Sequence, residues 1–246
     1  MKDIFFALVL IISSQSLFAK NPIGSPTFDD IINSLLGSEK YIFDDKNIVL
    51  KVPNFADNPV QVPIFMDAKK IKDAKRVILF ADLNPIPVLL DMKLNGLLPI
   101  ISLNMKVAQE TPLRALVQDS KNLWHIGSAN IKSFGGGCAV SSDASSNTNF
   151  DKYLGKVKGN IFKKDDIVRI KTSIFHPMET GLVFGNSEFY INKISIKADN
   201  QLLGSLTTYS AISENPRFIF ETDIDAKEYK LEFFDIDGNE FFLDIK

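Results

Sequence analysis

The sequence predicts an all-β protein: two antiparallel β-sandwiches joined by a Gly/Ser-rich linker, with one short helix near the N-terminal side. Three observations lead there. Apolar residues recur in short β-type runs set off by turn residues, and no alternation of strands with long helices is found. The chain has 246 residues, 45% hydrophobic and 24% charged, enough for two domains of the Ig-like sandwich size of about 100 residues each. Between the two sets of runs lies Gly135-Gly136-Gly137 followed by a tract of Ser, Asn and Thr, a composition too poor in apolar surface to be a core element.

Residues 1–19 open with Met1-Lys2-Asp3 and continue through an apolar run, Ile4 to Ile12, and a polar patch before Leu17-Phe18-Ala19. A charged start, an apolar stretch too short to span a bilayer and a small residue at the end predict a secretory signal, with an uncleaved anchor as the alternative. Either reading puts the folded part outside the cytosol. A helix follows, with Thr27 as its cap, Asp29 and Asp30 in the first turn, and Gly37 closing it. Its apolar face would hold Phe28, Ile31, Ile32 and Leu35. Strands are expected at Asn47–Val52, Val60–Phe65, Arg76–Ala81, Leu98–Leu103, Leu113–Gln118, Leu123–Ile126 and Ile131–Phe134. A second set is expected at Ile167–Phe175, Glu188–Lys197, Gln201–Tyr209, Arg217–Glu221, Tyr229–Asp235 and Asn239–Ile245, the last two joined by an Asp237-Gly238 hairpin turn. The predicted organisation is therefore a signal at 1–19, a sandwich at 20–134, a cysteine arm and linker at 135–150 and a second sandwich at 151–246.

A net charge of -2 and a pI of about 5.8 exclude the concentrated basic surface on which nucleic-acid binding rests. Residues 214–246 carry 10 acidic and 4 basic side chains, which reads as a solvated face or a docking surface for a basic partner. No nucleophile elbow, zinc-protease pair, phosphate loop or dinucleotide fingerprint is found. Two histidines and one cysteine do not compose a metal set. His125, beside Trp124, reads as structural; His176 and Met178 are soft ligands but too few for copper, and His176 reads as a hydrogen-bonded loop histidine.

Chemistry therefore rests on Cys138, the single cysteine. It follows Gly135-Gly136-Gly137 and precedes a polar tract, so an exposed position on a mobile segment is expected. A solvated thiol of pKa about 8.5 is only roughly 3% thiolate at pH 7, a slow nucleophile without help. Four residues from Phe134 to Cys138 extend at most about 13 Å, enough to carry a tethered group off a sandwich into a cleft. The glycine amides also suit a small anion nest.

Two sets of motifs carry a family resemblance. His176-Pro177-Met178-Glu179-Thr180-Gly181 after a strand, with Tyr209-Ser210-Ala211-Ile212-Ser213-Glu214-Asn215-Pro216 further on, resembles SoxZ of the sulfur-oxidation carrier SoxYZ. Val62-Pro63, Asp82-Leu83-Asn84-Pro85-Ile86-Pro87 and Thr111-Pro112-Leu113-Arg114, with a Gly-Gly-Cys after them, are similar to SoxY. The resemblance implies a SoxY-like domain fused to a SoxZ-like one, both Ig-like sandwiches. It implies a periplasmic, non-enzymatic carrier in thiosulfate and related sulfur oxidation. Cys138 would hold the sulfur intermediate, as a persulfide or thiosulfonate, with Gly135, Gly136 and Gly137 as hinge and no other cofactor. Implied partners are a c-type cytochrome that loads sulfur, a sulfate-releasing hydrolase and a sulfane dehydrogenase. The fused arrangement also resembles carriers associated with a quinoprotein dehydrogenase system.

One departure stands out. The family cysteine ends in Gly-Gly-Cys-Gly-Gly at a carboxyl terminus, whereas here Cys138 runs on through Ala139-Val140-Ser141, so two chain segments must enter any partner cleft. Two other readings stay open. A thiol enzyme, a sulfurtransferase or peroxidase, would need a cation near Cys138, and only Lys132 is close in sequence. A non-catalytic two-sandwich binding module would use Cys138 only for an intermolecular disulfide. For His176, Met178 and Glu179 the loop reads as structural or as an interface.

Overall fold

The structure, a computed structural model, describes residues 20–143, 145 and 149–246. The signal expected at 1–19, and residues 144 and 146–148 of the polar tract, lie outside the described residues. The elements in chain order are α1 (Phe28–Leu36), β1 (Tyr41–Phe43), β2 (Val49–Lys51), β3 (Val62–Asp67), β4 (Arg76–Ala81), β5 (Val88–Leu94), β6 (Leu97–Met105), β7 (Thr111–Gln118) and β8 (Trp124–Ile131). A short turn of 3-10 helix at Gly137–Ala139 and α2 (Phe150–Tyr153) lead to β9 (Val157–Lys164), β10 (Ile167–Ile174), β11 (Ile191–Ala198), β12 (Gln201–Thr208), β13 (Arg217–Thr222), β14 (Tyr229–Asp235) and β15 (Glu240–Ile245).

The fold is all-β and sandwich-like, with two sheets and two short helices among the described residues. One sheet has nine strands in the order β1-β8-β7-β4-β5-β12-β11-β14-β15, and the other has six, β2-β3-β6-β13-β10-β9. All pairings are antiparallel except β1 with β8. Both sheets run from the N-terminal half into the C-terminal half. Gly204 to Thr208 of β12 pair with Leu94 to Leu90 of β5, and Ile219 and Phe220 of β13 pair with Ser102 and Ile101 of β6. Thr222 Oγ1 adds a bond of 2.7 Å to the Gly96 carbonyl. The interior between the sheets is one continuous core, in which Met92, Leu103 and Met105 of the first half meet Ile194, Leu206 and Phe218 of the second. Tyr229 donates to the Ile224 carbonyl and accepts from the Ala226 amide, closing a corner typical of Ig-like sandwiches.

Helix α1 covers the outer face of the nine-stranded sheet. Phe28, Ile32 and Leu36 bury against Ile78, Phe80, Leu116, Trp124 and Ile126, so β4 and β7 are covered on both faces and read as near-continuous apolar runs. Gly37 closes the helix with φ +57° and an N–H to the Asn33 carbonyl at 3.0 Å. Thr27 does not cap it; its hydroxyl instead donates to the Asp82 carbonyl at 2.5 Å, tying the helix start to the β4–β5 turn.

Candidate functional site

Cys138 is buried, at 1% exposure, in the 3-10 turn Gly137–Ala139, which corrects the expectation of an exposed thiol. The glycines explain the difference, because they let the arm lie backbone to backbone against the molecule. Gly136 donates to the Ala108 carbonyl and Gly137 to the Val107 carbonyl, both at 2.9 Å, while Gly135 donates to Ser133 Oγ at 3.0 Å. A Cβ on Gly135 would stand 2.3 Å from the Ala108 oxygen, and one on Gly137 only 2.1 Å from the Pro59 oxygen. Gly136 has open space around it but holds φ +89°, a left-handed angle that favours glycine.

The platform under the arm, Lys106-Val107-Ala108, is set by the motifs of the first half. The Asn84 side chain donates to the Lys106 carbonyl at 2.8 Å and accepts the Ala108 amide at 2.9 Å. Asn84 is held in turn through its neighbours: the Leu83 amide donates to Thr111 Oγ1 at 2.9 Å, and Asp82 pairs with Arg114 at 2.9 Å with both side chains fully buried. Arg114 also donates to Ser128 Oγ and Asn21 Oδ1, and its guanidinium lies 4.8 Å from the centre of the Phe28 ring.

The second half supplies the opposite wall. Thr180 Oγ1 donates to the Cys138 carbonyl at 2.8 Å. Glu179 Oε1 accepts from the Ser142 amide at 3.0 Å and from Ser145 Oγ at 2.6 Å, and Asn186 donates to Ser141 Oγ at 2.9 Å, so the chain just past the cysteine is held too. Met178, at φ +52°, is fully buried, and its sulfur accepts the Ile191 amide at 3.4 Å. His176 Nδ1 accepts the Met178 amide at 3.2 Å, leaving Nε2 to face Asp235 Oδ2 at 3.5 Å. Asn215 brackets the same histidine, its amide donating to the His176 carbonyl and its Oδ1 accepting the His176 N–H. His176 and Met178 thus shape the loop, while Glu179 and Thr180 reach the arm. His125 lies away from it, its Nδ1 2.8 Å from Asp44 Oδ2.

One buried charged side chain near the arm escaped the sequence. Lys106 is 4% exposed and its ammonium donates to the Met178 carbonyl and, at 3.1 Å, to the Ser210 carbonyl. Burial pushes the Cys138 thiol up to about 11, against the pull of Lys106, and pushes the Lys106 ammonium down to about 8, against Cys138, Glu179 and Glu214. Burial likewise lowers His176, with Asp235 opposing. No spacing in the sequence joins Lys106 to Cys138; β6 and the folding back of the arm do. Apolar side chains close in sequence to the arm and to the loop that holds it are exposed: Phe134, 94% exposed beside Phe55, with Val140, Leu182 and Phe184.

The family model described as "Sulfur oxidation protein SoxY" matches residues 32–138, ending on the cysteine itself, and that described as "Sulphur oxidation protein SoxZ" matches residues 157–243. Among solved structures, the sulfur carrier protein SoxY from Chlorobium limicola f thiosulfatophilum is 24% identical, covering 44% of this chain and 96% of that one, with a TM-score of 0.38. A beta-glycosidase from Bacteroides vulgatus is 10% identical over 82% of this chain and 25% of that one, with a TM-score of 0.23. No curated protein matches. No helix among the described residues is long and apolar enough to cross a membrane.

Proposed function

Because the chain belongs to the SoxY and SoxZ sulfur-oxidation families, joined in one polypeptide, we propose that it is a periplasmic carrier that holds sulfur intermediates covalently on Cys138 while partner enzymes process them. The observation that carries this reading is the place of the thiol: Cys138 closes the SoxY match and lies buried in the 3-10 turn that ends a run of three glycines, where burial raises its pKa to about 11. A thiol so placed is a poor nucleophile, which speaks against a thiol enzyme working from the docked arm. Lys106 lowers the thiol, but burial outweighs it. Chemistry at Cys138 requires the arm to leave its platform. The docking bonds of Gly136, Gly137 and Thr180, and those of Glu179 and Asn186 just past the cysteine, lie outside the strand ladders, so the arm detaches without unfolding a sheet.

In this reading Gly135, Gly136 and Gly137 are the hinge, and a cytochrome that loads sulfur, a sulfate-releasing hydrolase, a sulfane dehydrogenase or a quinoprotein dehydrogenase system acts on the extended arm. Exposed Phe134, next to the hinge in sequence, and exposed Phe184, two residues from the Asn186 that bonds Ser141, suit the apolar part of a transient interface. Since the chain continues past Cys138, the arm enters its partner as a loop, and partners with a broad cleft are favoured. The test is intact mass spectrometry of protein taken from its native cells, with and without reductant and beside Cys138→Ser. Reductant-labile additions of sulfur or sulfonate, absent from the variant, are the expected result. A bare thiol under sulfur-supplied growth would move the assignment to a binding module.

A further inference from the structure

Resting on the carrier reading, we infer that Lys106 is the counter-ion for the negative charge that a sulfur adduct brings to Cys138, so that the docked arm is a binding site for the loaded, anionic cysteine. An ammonium has three donors, and two of those of Lys106 end on neutral carbonyls, Met178 and Ser210, at 4% exposure. Among the described residues no carboxylate lies within 4.0 Å of it. A buried cation without a contact anion is costly, and its lowered pKa reflects that cost.

The surrounding bonds set this cation beside the arm. The Gly137 amide bonds the carbonyl of Val107, next in sequence to Lys106, while Thr180, two residues beyond the carbonyl that Lys106 grips, holds the Cys138 carbonyl. The charged groups that act on Lys106 are Cys138, Glu179 and Glu214, and His176 feels it in turn. Glu179 receives Ser142 and Ser145, and Glu214 receives Ser142 Oγ, so both carboxylates are engaged in holding the segment past the cysteine. Cys138, the arm's own group acting on Lys106, is a neutral thiol at rest, so the arm brings no contact anion to the ammonium beside the two carboxylates already engaged. An S-sulfonate is anionic at any physiological pH, and a persulfide is more acidic than its parent thiol. Either places on the sulfur a negative charge that the resting arm lacks, next to an ammonium with no carboxylate in contact.

The test compares anionic and neutral adducts on the same sulfur, starting from a mixed disulfide of Cys138 with an aromatic thiol. Sulfite converts it to the S-sulfonate, Cys138–S–S–R + SO3²⁻ giving Cys138–S–SO3⁻ + RS⁻. Hydrosulfide converts it to the persulfide, Cys138–S–S–R + HS⁻ giving Cys138–S–SH + RS⁻. Methylthiolation supplies the neutral control, Cys138–S–S–CH3. Hydrogen exchange of the Gly136 and Gly137 amides reads docking directly, since both amides bond the platform. An anionic adduct should slow their exchange by about tenfold or more relative to the neutral one, the size expected of one charge-assisted hydrogen bond. Lys106→Met should abolish the difference and Lys106→Arg should keep most of it. Protection by only one of the two anions also supports the site and names the species that fits. Equal exchange for anionic and neutral adducts in the native chain, or an unchanged difference in Lys106→Met, would overturn the proposal. The comparison within the native chain stands even where the Met variant does not fold. Chemical loading makes the result independent of what the protein carries in its cells, so a failure of the carrier reading shows up separately, in the mass of the native protein.

Discussion

Glycine at 137 is required by distance. Its φ is ordinary, but a single methyl group there would meet the Pro59 oxygen at 2.1 Å and the Val107 oxygen at 2.9 Å, both backbone atoms that cannot swing away. Gly137→Ala should therefore leave the sheets intact and expel the arm. Cys138 then titrates as a solvated thiol, at about 8.5 to 9.0 instead of about 11, so its thiolate fraction at pH 8 rises by roughly one to two hundredfold. Alkylation with iodoacetamide at that pH should speed up accordingly, and an unchanged rate would show that the arm docks without Gly137. Lys106 leaves a different mark. Its pKa of about 8 in the fold lies below the 10.5 of a solvated lysine, so between those values the folded chain binds fewer protons and stability rises with pH. Cys138 acts the other way from 9.0 to about 11, where the folded thiol keeps a proton that the unfolded one loses. The rise is therefore confined to the interval from about pH 8 to pH 9, and Lys106→Met should remove it from urea midpoints measured across that interval. Cys138 and its glycines stood out from composition alone as a candidate arm. Its burial was not, because glycine-rich sequence reads equally as a mobile tether and as a chain that packs closely, and only the carbonyls of Pro59, Val107 and Ala108 decide between them.

At the scale of elements, the turn between β4 and β5 and the start of β7 act as a clamp. Their motifs were visible as Asp82-Leu83-Asn84-Pro85 and Thr111-Pro112-Leu113-Arg114, yet nothing local reveals that Asp82 meets Arg114 or that Asn84 grips the platform under the cysteine arm. Asp82→Asn leaves the guanidinium of Arg114 without its buried partner and should cost about 3–5 kcal/mol in chemical denaturation. The same change should loosen the platform and quicken Cys138 alkylation, whereas disruption of a surface pair such as Lys163 with Asp225 should alter neither. Three strands went unread: β1, only three residues long, and β5 and β9 for opposite reasons. In β5, Val88–Leu94, the alternation is broken by Asp91, which pairs with Arg76 of β4 at 2.6 Å and so belongs to the strand through a partner distant in sequence. In β9, Val157–Lys164, most residues are exposed at a sheet edge and the apolar signal is thin. The helix, the hairpin at Asp237-Gly238 and the strands of strong alternation, such as β10 and β14, were legible because their burial follows from their own periodicity.

For the whole molecule, the sequence points to two sandwiches, and the structure joins them through both sheets. The junction strands β5, β6, β12 and β13 carry ordinary core patterns that do not announce a neighbour from the other half. Because pairing and core are continuous across the junction, a single cooperative unfolding transition is expected by calorimetry, with the van't Hoff and calorimetric enthalpies equal. Two separated transitions would show that each half melts alone. The polar tract linking the halves also has a thermodynamic role. The cradle of Thr180, Glu179 and the Met178 carbonyl is tethered to the cysteine it receives, so cradle and arm meet at an effective concentration set by a short chain. Two separate subunits would lose that encounter on dilution, while one polypeptide keeps it at any copy number. Every cysteine is made together with its own shelter, in a ratio that neither expression level nor dilution in the surrounding fluid can change.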